Sequence, residues 1–310
     1  MKKIAAIGEA MLELSHQSDT TLALSFAGDT LNFAIYLRRL LPIHPQQFDI
    51  HYVTAIGNDP YSDTMLTNWQ QEKLNTDLVV RVKKKLPGLY LIRTNTAGER
   101  TFYFYRQHSA AKEFFNDSHA IDLLQPLLTM DYLYLSGIVL AILDPSSRER
   151  LWALLEEAKK KGLKIIFDTN YRAVLWPSQQ SAKEAIEHTL PWVDIALPTL
   201  LDEQALFSDA NAEACAQRLL KKGITEIVVK CGAEPAFVAT MNQQTSVPAC
   251  TSEKVIDTTG AGDSFNAAYM AARLLGWEPI KAAQWGHRLA ATVITCPGAI
   301  IPKTIMPHLY

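Results

Sequence analysis

One segment near the C-terminus combines a glycine-rich turn with a carboxylate. Residues 255–265 read VIDTTGAGDSF, so an apolar run ends, Gly260 and Gly262 flank Ala261, and Asp263 follows at once. Glycine has no Cβ, which lets backbone N–H groups approach a ligand closely, and the start of a helix carries partial positive charge. The segment therefore predicts a cradle for an anion such as phosphate, formed by residues 260–262.

Asp263 suggests what such a cradle would be used for. A carboxylate repels phosphate and would weaken a site that only binds an anion. The same group makes sense as a general base that takes the proton of an attacking hydroxyl, so the pattern favours phosphoryl transfer. A strand-to-helix turn that binds nothing is the alternative. The sequence contains neither GxxxxGK[ST] nor GxGxxG, so it predicts neither a P-loop nor a dinucleotide-binding turn.

Strand and helix patterns alternate through the second half of the sequence. Buried strands are predicted where the sequence has short apolar runs, at 132–136, 164–168, 195–197 and 226–229. Amphipathic helices lie between them, which is typical of an α/β protein with a mostly parallel sheet covered on both faces. Ligands of such sheets bind beyond the carboxyl ends of the strands. We expect convergence there of four polar residues that follow predicted strands, Asp29, Asn170, Arg172 and Asp263.

The region before residue 107 has a different pattern. Residues 89–93 and 101–106 are rich in β-formers and are joined by the polar turn 95–98, which predicts a hairpin without an intervening helix. We interpret the hairpin as a lid that excludes water from the predicted site. A hairpin at the edge of the main sheet is the alternative.

Composition restricts the partners and the location of the protein. The 310 residues are 48% apolar and 20% charged, with a formal net charge of −2, so no basic field for nucleic acid is predicted. The four cysteines are scattered without a CxxC pair, which indicates neither a zinc site nor a disulfide framework. The sequence shows no secretory leader and no membrane-spanning run, so we expect a cytoplasmic protein that does not interact with membranes.

The motifs lie in an order that resembles a known family. VIDTTGAGDSF, together with IAAIGE at 4–9, FAGDTLNFA at 26–34 and VTAIGND at 53–59, resembles the ribokinase-like, or pfkB, carbohydrate kinases, and the similarity extends from Lys3 to Pro302. The resemblance implies one kinase domain over residues 1–310 with a ribokinase-like, mostly parallel central sheet. It also implies a small β-sheet lid built from residues 13–24 and 79–106.

Three further segments resemble the sugar-acid kinases of this family, namely LPGLY at 86–90, GERTFYFYR at 98–106 and FDTNYR at 167–172. A sugar acid needs a partner for its carboxylate, and the guanidinium fork of arginine provides one. The resemblance implies a set of substrate contacts, Gly28, Asp29, Asn32, Tyr90, Tyr103, Arg106, Arg172 and Asp263. Surface arginines, core tyrosines and a helix-surface asparagine are the alternatives for individual members.

The resemblance also implies ATP and Mg²⁺. ATP would lie against a second set of residues, Asn170, Lys230, Gly232, Gly260, Ala261 and Gly262, although Lys230 could simply face solvent. Where the family often has Asn-x-x-Glu near the metal, this chain reads TLLDE at 199–203, so either Asp202 or Glu203 is predicted to hold Mg²⁺ through water. Asp257 and Thr259 are predicted to contribute to a monovalent-cation site, for example for K⁺, as in relatives.

These expectations define a reaction. The resemblance implies ATP-dependent phosphorylation of 2-keto-3-deoxygluconate to 2-keto-3-deoxy-6-phosphogluconate, with Asp263 as the general base. A kinase for a neutral ketose such as fructose is one alternative. A sugar-sensing protein without catalysis on the same fold is another, and the intact glycine turn and Asp263 argue against it. A homo-oligomer is possible in all three cases, since the lids of relatives often contribute to dimer contacts.

Overall fold

The computed structural model describes residues 1–41, 47–94, 100–252 and 254–308. The strands, in chain order, are β1 (Lys2–Ile7), β2 (Met11–His16), β3 (Leu22–Ala27), β4 (Phe48–Gly57), β5 (Val79–Val82), β6 (Gly88–Thr94), β7 (Arg100–Tyr105), β8 (Tyr132–Ser136), β9 (Lys164–Asp168), β10 (Ile195–Ala196), β11 (Glu226–Cys231), β12 (Glu234–Thr240) and β13 (Gln244–Val247). The α-helices are α1 (Asp29–Leu40), α2 (Pro60–Gln71), α3 (Asp117–Leu127), α4 (Gly137–Ile142), α5 (Pro145–Lys160), α6 (Gln179–Thr189), α7 (Leu200–Phe207), α8 (Ala212–Lys221), α9 (Ala261–Leu274) and α10 (Pro279–Val293).

The larger of two sheets forms the centre of the described structure. Its strands lie in the order β13-β12-β11-β10-β9-β8-β1-β4-β5. The strands from β11 to β5 pair in parallel, whereas β12 and β13 are added antiparallel at one edge. The prediction of a mostly parallel sheet is therefore confirmed, and we call it the main sheet.

Helices cover both faces of the main sheet because its strands carry apolar side chains on both faces. In β1, Ile4 and Ala6 belong to one core layer, and Ala5 and Ile7 belong to the other. The first layer includes residues of α1, α2, α9 and α10, and the second includes residues of α3 to α8. Such two-sided burial explains why the strands read as nearly continuous apolar runs.

Local sequence signals set the boundaries of several elements. The predicted strands at 132–136 and 164–168 coincide with β8 and β9. Helix α5 begins after Asp144, whose carboxylate accepts the N–H of Ser147 at 2.9 Å, and Pro145 occupies the first helical position, where its missing N–H costs nothing. These boundaries fix the loops that follow the carboxyl ends of the strands.

A second, smaller sheet contains β3, β2, β6 and β7 in that order, and we call it the lid sheet. β6 and β7 pair antiparallel, as the predicted hairpin requires, and they lie outside the main sheet. The predicted turn at 95–98 lies outside the described residues. The predicted segment 13–24 falls within β2 and β3.

One boundary of the predicted lid needs correction. Residues 79–82 form β5, which pairs in parallel with β4 in the main sheet, so the second lid segment begins at Gly88 rather than at 79. The physical reason is that β4 offers a free edge to this short apolar strand before Pro87 and Gly88 redirect the chain.

Among the described residues, no helix combines the length and apolar composition needed to cross a bilayer.

Candidate active site

A cavity of about 580 Å³ lies between the carboxyl ends of the main-sheet strands and the lid sheet. Its wall contains residues from six regions of the chain, namely Met11, Ala27, Gly28, Asp29, Asn32, Tyr90, Phe102, Phe104, Ile138, Asp168, Asn170, Arg172, Thr199, Leu201, Asp202, Thr258, Thr259, Gly260, Gly262 and Asp263. The structure thus brings together the four polar residues expected to converge. A larger and more open depression of about 800 Å³ runs along α10, but none of the described residues that line it carries a carboxylate, and none is a predicted site residue.

The glycine turn at 260–262 begins α9 and faces this cavity. Gly260 has a φ of 74°, and a Cβ there would lie 2.7 Å from the carbonyl oxygen of Ala299, so both the backbone conformation and the packing require glycine. A Cβ at Gly262 would meet nothing closer than Lys230 Nζ at 3.9 Å. Packing therefore does not explain Gly262, whereas a ligand that approaches the backbone closely would.

The first turn of α9 offers hydrogen-bond donors to such a ligand. The N–H of Ala261 bonds to Thr258 and that of Ser264 to Gly260, at 3.2 and 2.8 Å. No described residue accepts from the N–H groups of Gly262 and Asp263. These two donors, which lack an acceptor among the described residues, lie at the start of a 14-residue helix and fit the predicted anion cradle.

Asp263 lies next to these donors and is held by one side chain. Its Oδ2 accepts a hydrogen bond from Asn32 Nδ2 at 2.8 Å, and its Oδ1 accepts none from the described residues. Burial is the largest cause that raises the pKa of Asp263, followed by the negative charge of Asp29, while the Asn32 bond and the charge of Lys230 oppose the rise. A carboxylate with a raised pKa and a free oxygen is a stronger proton acceptor than an ordinary aspartate.

A second carboxylate at the cavity, that of Asp29, is held by two hydrogen bonds. Its Oδ2 accepts from Asn170 Nδ2 at 2.8 Å and from Ser136 Oγ at 2.5 Å. Asn170 has a φ of 35°, a conformation that asparagine tolerates better than most residues, and its N–H bonds to Asp168 Oδ1 at 3.2 Å. The Asn170 amide, predicted to contact phosphate, therefore serves to hold Asp29 in this structure. Sequence reasoning did not identify Ser136, which ends β8.

Lys230 is buried beneath the glycine turn. Its Nζ donates to Asp168 Oδ2, Leu197 O and Asn266 Oδ1 at 2.8, 2.6 and 2.9 Å, and the residue is 6% exposed. The solvent-facing alternative is therefore excluded. Because all three N–H donors are already used, the predicted contact with ATP phosphate does not fit this geometry. Gly232 lies in the exposed turn after β11 and does not line the cavity.

The lid sheet presents only one of the two predicted tyrosines to the cavity. Tyr90 faces the cavity, and because it pairs with Phe104 across the hairpin, Phe104 and Phe102 share its face. Tyr103 lies between them in β7 and points to the outer face, where it is 51% exposed. The prediction that Tyr103 lines the substrate site is corrected, and the two phenylalanines replace it.

The two predicted arginines occupy contrasting positions. The side chain of Arg172 is 52% exposed, lines the cavity, and has Nη1 3.7 Å from Asp202 Oδ2. Arg106 is buried, does not line the cavity, and donates from Nη2 to the carboxylate of Glu9, which is 1% exposed. Only Arg172 is directly available to a ligand here.

The two acidic candidates for Mg²⁺ are also separated. Asp202 lines the cavity, and burial raises its pKa although Arg172 opposes the rise. Glu203 points into the protein, where burial raises its pKa to about 7 and Arg218 Nη2 lies 2.5 Å from its Oε2. Successive helical residues face different directions, so only Asp202 is placed for a metal at the cavity. Glu203 lies near Asp209 and Cys215, but Arg218 already supplies the cation of that cluster.

The side chains of the predicted monovalent-cation site stabilise a loop. Asp257 Oδ1 accepts from the N–H and hydroxyl of Thr259 at 3.0 and 2.7 Å, and its Oδ2 accepts from the N–H of Gly298. Asp257 thus ties the segment before the glycine turn to the segment after α10. A cation would have to share these oxygens, and the K⁺ site stays a prediction.

The chain is similar to known proteins over nearly its whole length. Residues 1–306 match the pfkB family carbohydrate kinase description. The 2-dehydro-3-deoxygluconokinase of Escherichia coli strain K12 is 45% identical over 309 residues, 99% of each chain, and that of Haemophilus influenzae is 40% identical over 311 residues, 100% of this chain and 98% of that one. A candidate ribokinase II of Escherichia coli, solved with ATP and Mg²⁺, shares the fold with a TM-score of 0.83 and 21% identity, covering 96% of this chain and 94% of that one.

The two glycines of the turn should respond differently to alanine. Gly260→Ala places a Cβ at positive φ and against Ala299, so we expect it to lower the free energy of unfolding by about 1–3 kcal/mol. Gly262→Ala meets only open space and should leave the thermal midpoint within about 2 °C of wild type. Thermal unfolding followed by circular dichroism measures both. Equal loss of stability in the two variants would contradict the assignment of Gly262 to ligand binding rather than packing.

Proposed function

The chain belongs to the pfkB family of carbohydrate kinases, and we propose that it transfers the γ-phosphoryl group of ATP to 2-keto-3-deoxygluconate. This sugar acid is the 2-dehydro-3-deoxygluconate in the names of relatives that are 40–45% identical over the full chain. The product is 2-keto-3-deoxy-6-phosphogluconate. The observation that supports the reaction best is the free oxygen of Asp263 beside two free N–H groups, inside one cavity.

Asp263 acts as the general base. The terminal hydroxyl of the sugar acid gives its proton to Asp263 Oδ1 as its oxygen forms a bond to the γ-phosphorus, and the bond between that phosphorus and the ADP oxygen breaks. Asn32 keeps the carboxylate oriented through Oδ2, which leaves Oδ1 for the substrate. No protein nucleophile is needed for a direct in-line transfer.

The phosphate groups lie against the glycine turn. The N–H groups of Gly262 and Asp263 donate to phosphate oxygens, and the missing Cβ of Gly262 leaves room for them. Asp202, whose carboxylate forms part of the cavity wall, is the residue placed to hold Mg²⁺, directly or through water. When bound there, Mg²⁺ would neutralise negative charge on the phosphate groups.

The opposite wall selects and encloses the sugar acid. Arg172 is the exposed cation at the cavity and is our first candidate for the substrate carboxylate, with Arg106 as a second donor behind the wall. Asp29 has an Oδ1 to which none of the described residues donates, so it can accept a sugar hydroxyl beside Gly28. Tyr90, with the phenylalanines of β7, supplies an apolar cover that excludes water.

Two further features follow from the same proposal. Use of ATP as the phosphoryl donor supports a cytoplasmic location. The outer face of the lid sheet carries apolar side chains that are 40–65% exposed, namely Leu22, Leu24, Tyr103 and Tyr105. We propose that a second copy covers these apolar side chains, since in a twofold contact the same patch of each copy packs against its counterpart.

Asp263→Asn is the direct test of the base. Asparagine retains an oxygen for Asn32, so we expect near-normal folding and substrate binding but a decrease in kcat of roughly 10²–10⁴-fold. In the wild type, kcat/KM should rise with pH through a pKa well above about 3.9, because the base acts only when deprotonated and its pKa is raised. A coupled ADP-release assay measures both quantities. Turnover of the variant within a few-fold of wild type would refute the assignment, and Asp122→Asn on exposed α3 serves as the control.

Arginine replacements separate a sugar-acid kinase from a ketose kinase. Arg172→Gln should raise KM for 2-keto-3-deoxygluconate by about 10–100-fold, because a charged hydrogen bond is lost, and should leave the weak turnover of fructose unchanged. Arg93→Gln, on the outer side of the lid sheet, is the matched control and should change neither. Higher kcat/KM for fructose than for the sugar acid in the wild type would favour the ketose kinase instead.

The proposed contact between lid sheets predicts a dimer in solution. Sedimentation equilibrium at micromolar protein should give twice the chain mass, and Leu24→Lys should shift the mass to that of one chain, because a buried lysine would lack a partner. Lys160→Glu on exposed α5 is the control. A wild-type protein that sediments as a monomer would contradict this surface assignment without affecting the proposed reaction.

A further inference from the structure

We propose that Lys230 is a positioning residue which, given the proposed role of Asp263 as base, orders the floor of the site and keeps Asp263 ionised instead of binding ATP. Lys230 lies on β11, and among the described residues no hydrogen bond joins its ammonium group to the glycine turn. It acts through Asp168 and Asn266, two residues that sequence reasoning did not assign to the site. The three side chains are 6%, 3% and 0% exposed.

The hydrogen bonds of Lys230 leave it no donor for phosphate. An ammonium group has three N–H bonds, and Asp168, Asn266 and the carbonyl of Leu197 accept all three within 2.9 Å. To bind a phosphate oxygen, Lys230 would have to give up one of these partners. The loss would leave a buried acceptor without a donor, which is costly.

The same contacts connect the elements that carry the reacting groups. Asn266 Nδ2 donates to Asp168 Oδ2 at 2.6 Å and to the hydroxyl of Tyr134 at 3.1 Å. Asn266 lies three residues after Asp263 on α9, so fixing it fixes the rotation of the helix that presents the base. The ring of Tyr134 stacks on that of Phe33 with centroids 3.6 Å apart, and Phe33 follows the Asn32 that holds Asp263.

Charge gives Lys230 its second role. The charged and titratable groups that face Asp263 from the surrounding elements are Asp29 and Tyr36 of α1, Tyr90 of β6, Tyr134 of β8, Asp168 of β9 and Lys230 of β11. Asp29 and Asp168 raise the pKa of Asp263, whereas Lys230 lowers it. Lys230 is therefore the cation that keeps two neighbouring carboxylates from holding Asp263 in its protonated, inactive form.

Opposite shifts of the pH profile test this role. Lys230→Met should move the acid limb of kcat/KM to higher pH by about one unit, and Asp168→Asn should move it to lower pH, since each removes a charge of opposite sign. KM for ATP should stay within about 3-fold of wild type in both variants. Lys160→Met, at an exposed position of α5, is the control and should change neither the acid limb nor KM for ATP. A rise in KM for ATP of 10-fold or more with an unmoved acid limb would identify Lys230 as a phosphate ligand and overturn the inference.

A double variant keeps the test informative if Lys230→Met does not fold. Asp168→Asn with Lys230→Met removes both charges of the Lys230–Asp168 ion pair, so neither group of that pair is left buried without the other. Its acid limb should lie at higher pH than that of Asp168→Asn alone, by about the same one unit. Identical limbs in the single and double variants would refute the electrostatic role. Asp263→Asn in the same assay tests the proposed function separately. If Asp263→Asn keeps full turnover, Asp263 is not the base; if it loses turnover while the limbs are identical, only the role of Lys230 is refuted.

Discussion

The arrangement of the site depends on the electrostatic interaction of Asp263 with two neighbouring carboxylates, those of Asp29 and Asp168, and with the buried cation Lys230. Each carboxylate is held differently. Asp29 accepts from Ser136 and Asn170, and Asp168 accepts from Lys230 and Asn266, whereas Asp263 has only Asn32. Burial and the charge of Asp29 raise the pKa of Asp263, and the hydrogen bond from Asn32 opposes that rise, so its surroundings distinguish this carboxylate as the base.

Local patterns were sufficient to predict the mostly parallel main sheet, whereas the reacting centre stays a proposal. Both faces of the main sheet are buried, so strands such as β8 and β9 read as short apolar runs, and the glycine turn and Asp263 are adjacent in sequence. Local patterns could not predict which face of the lid sheet meets the cavity. Whether Tyr103 or Phe104 meets the substrate depends on the register between β6 and β7, because a shift of one residue exchanges the two faces of a strand. Local patterns also could not predict ion pairs between residues distant in sequence, such as Glu203 with Arg218.

Arg106 shows how a distant partner changes the meaning of a residue. Glu9 follows β1 and Arg106 follows β7, so their ion pair joins the main sheet to the base of the lid sheet. Gly88 begins β6 at the same point, where a Cβ would lie 2.8 Å from Glu9 Oε1. Among the contacts of the described residues, Arg106 Nε has no partner. Arg106 Nε can therefore donate to a second carboxylate without releasing Glu9, so the ion pair is compatible with the proposed role of Arg106 toward a sugar acid.

The raised pKa of Asp263 has a thermodynamic consequence for the whole chain. A carboxyl whose pKa is higher in the folded than in the unfolded state binds its proton more tightly when folded, so folding stability falls as pH rises from the ordinary aspartate range to the raised pKa. At neutral pH the site is thus a source of instability, which the two core layers on either side of the main sheet must offset. Lys230 limits that cost by stabilising the ionised form. An arrangement that weakens the fold and strengthens a base is hard to explain by packing, and it is what a proton-accepting role for Asp263 requires.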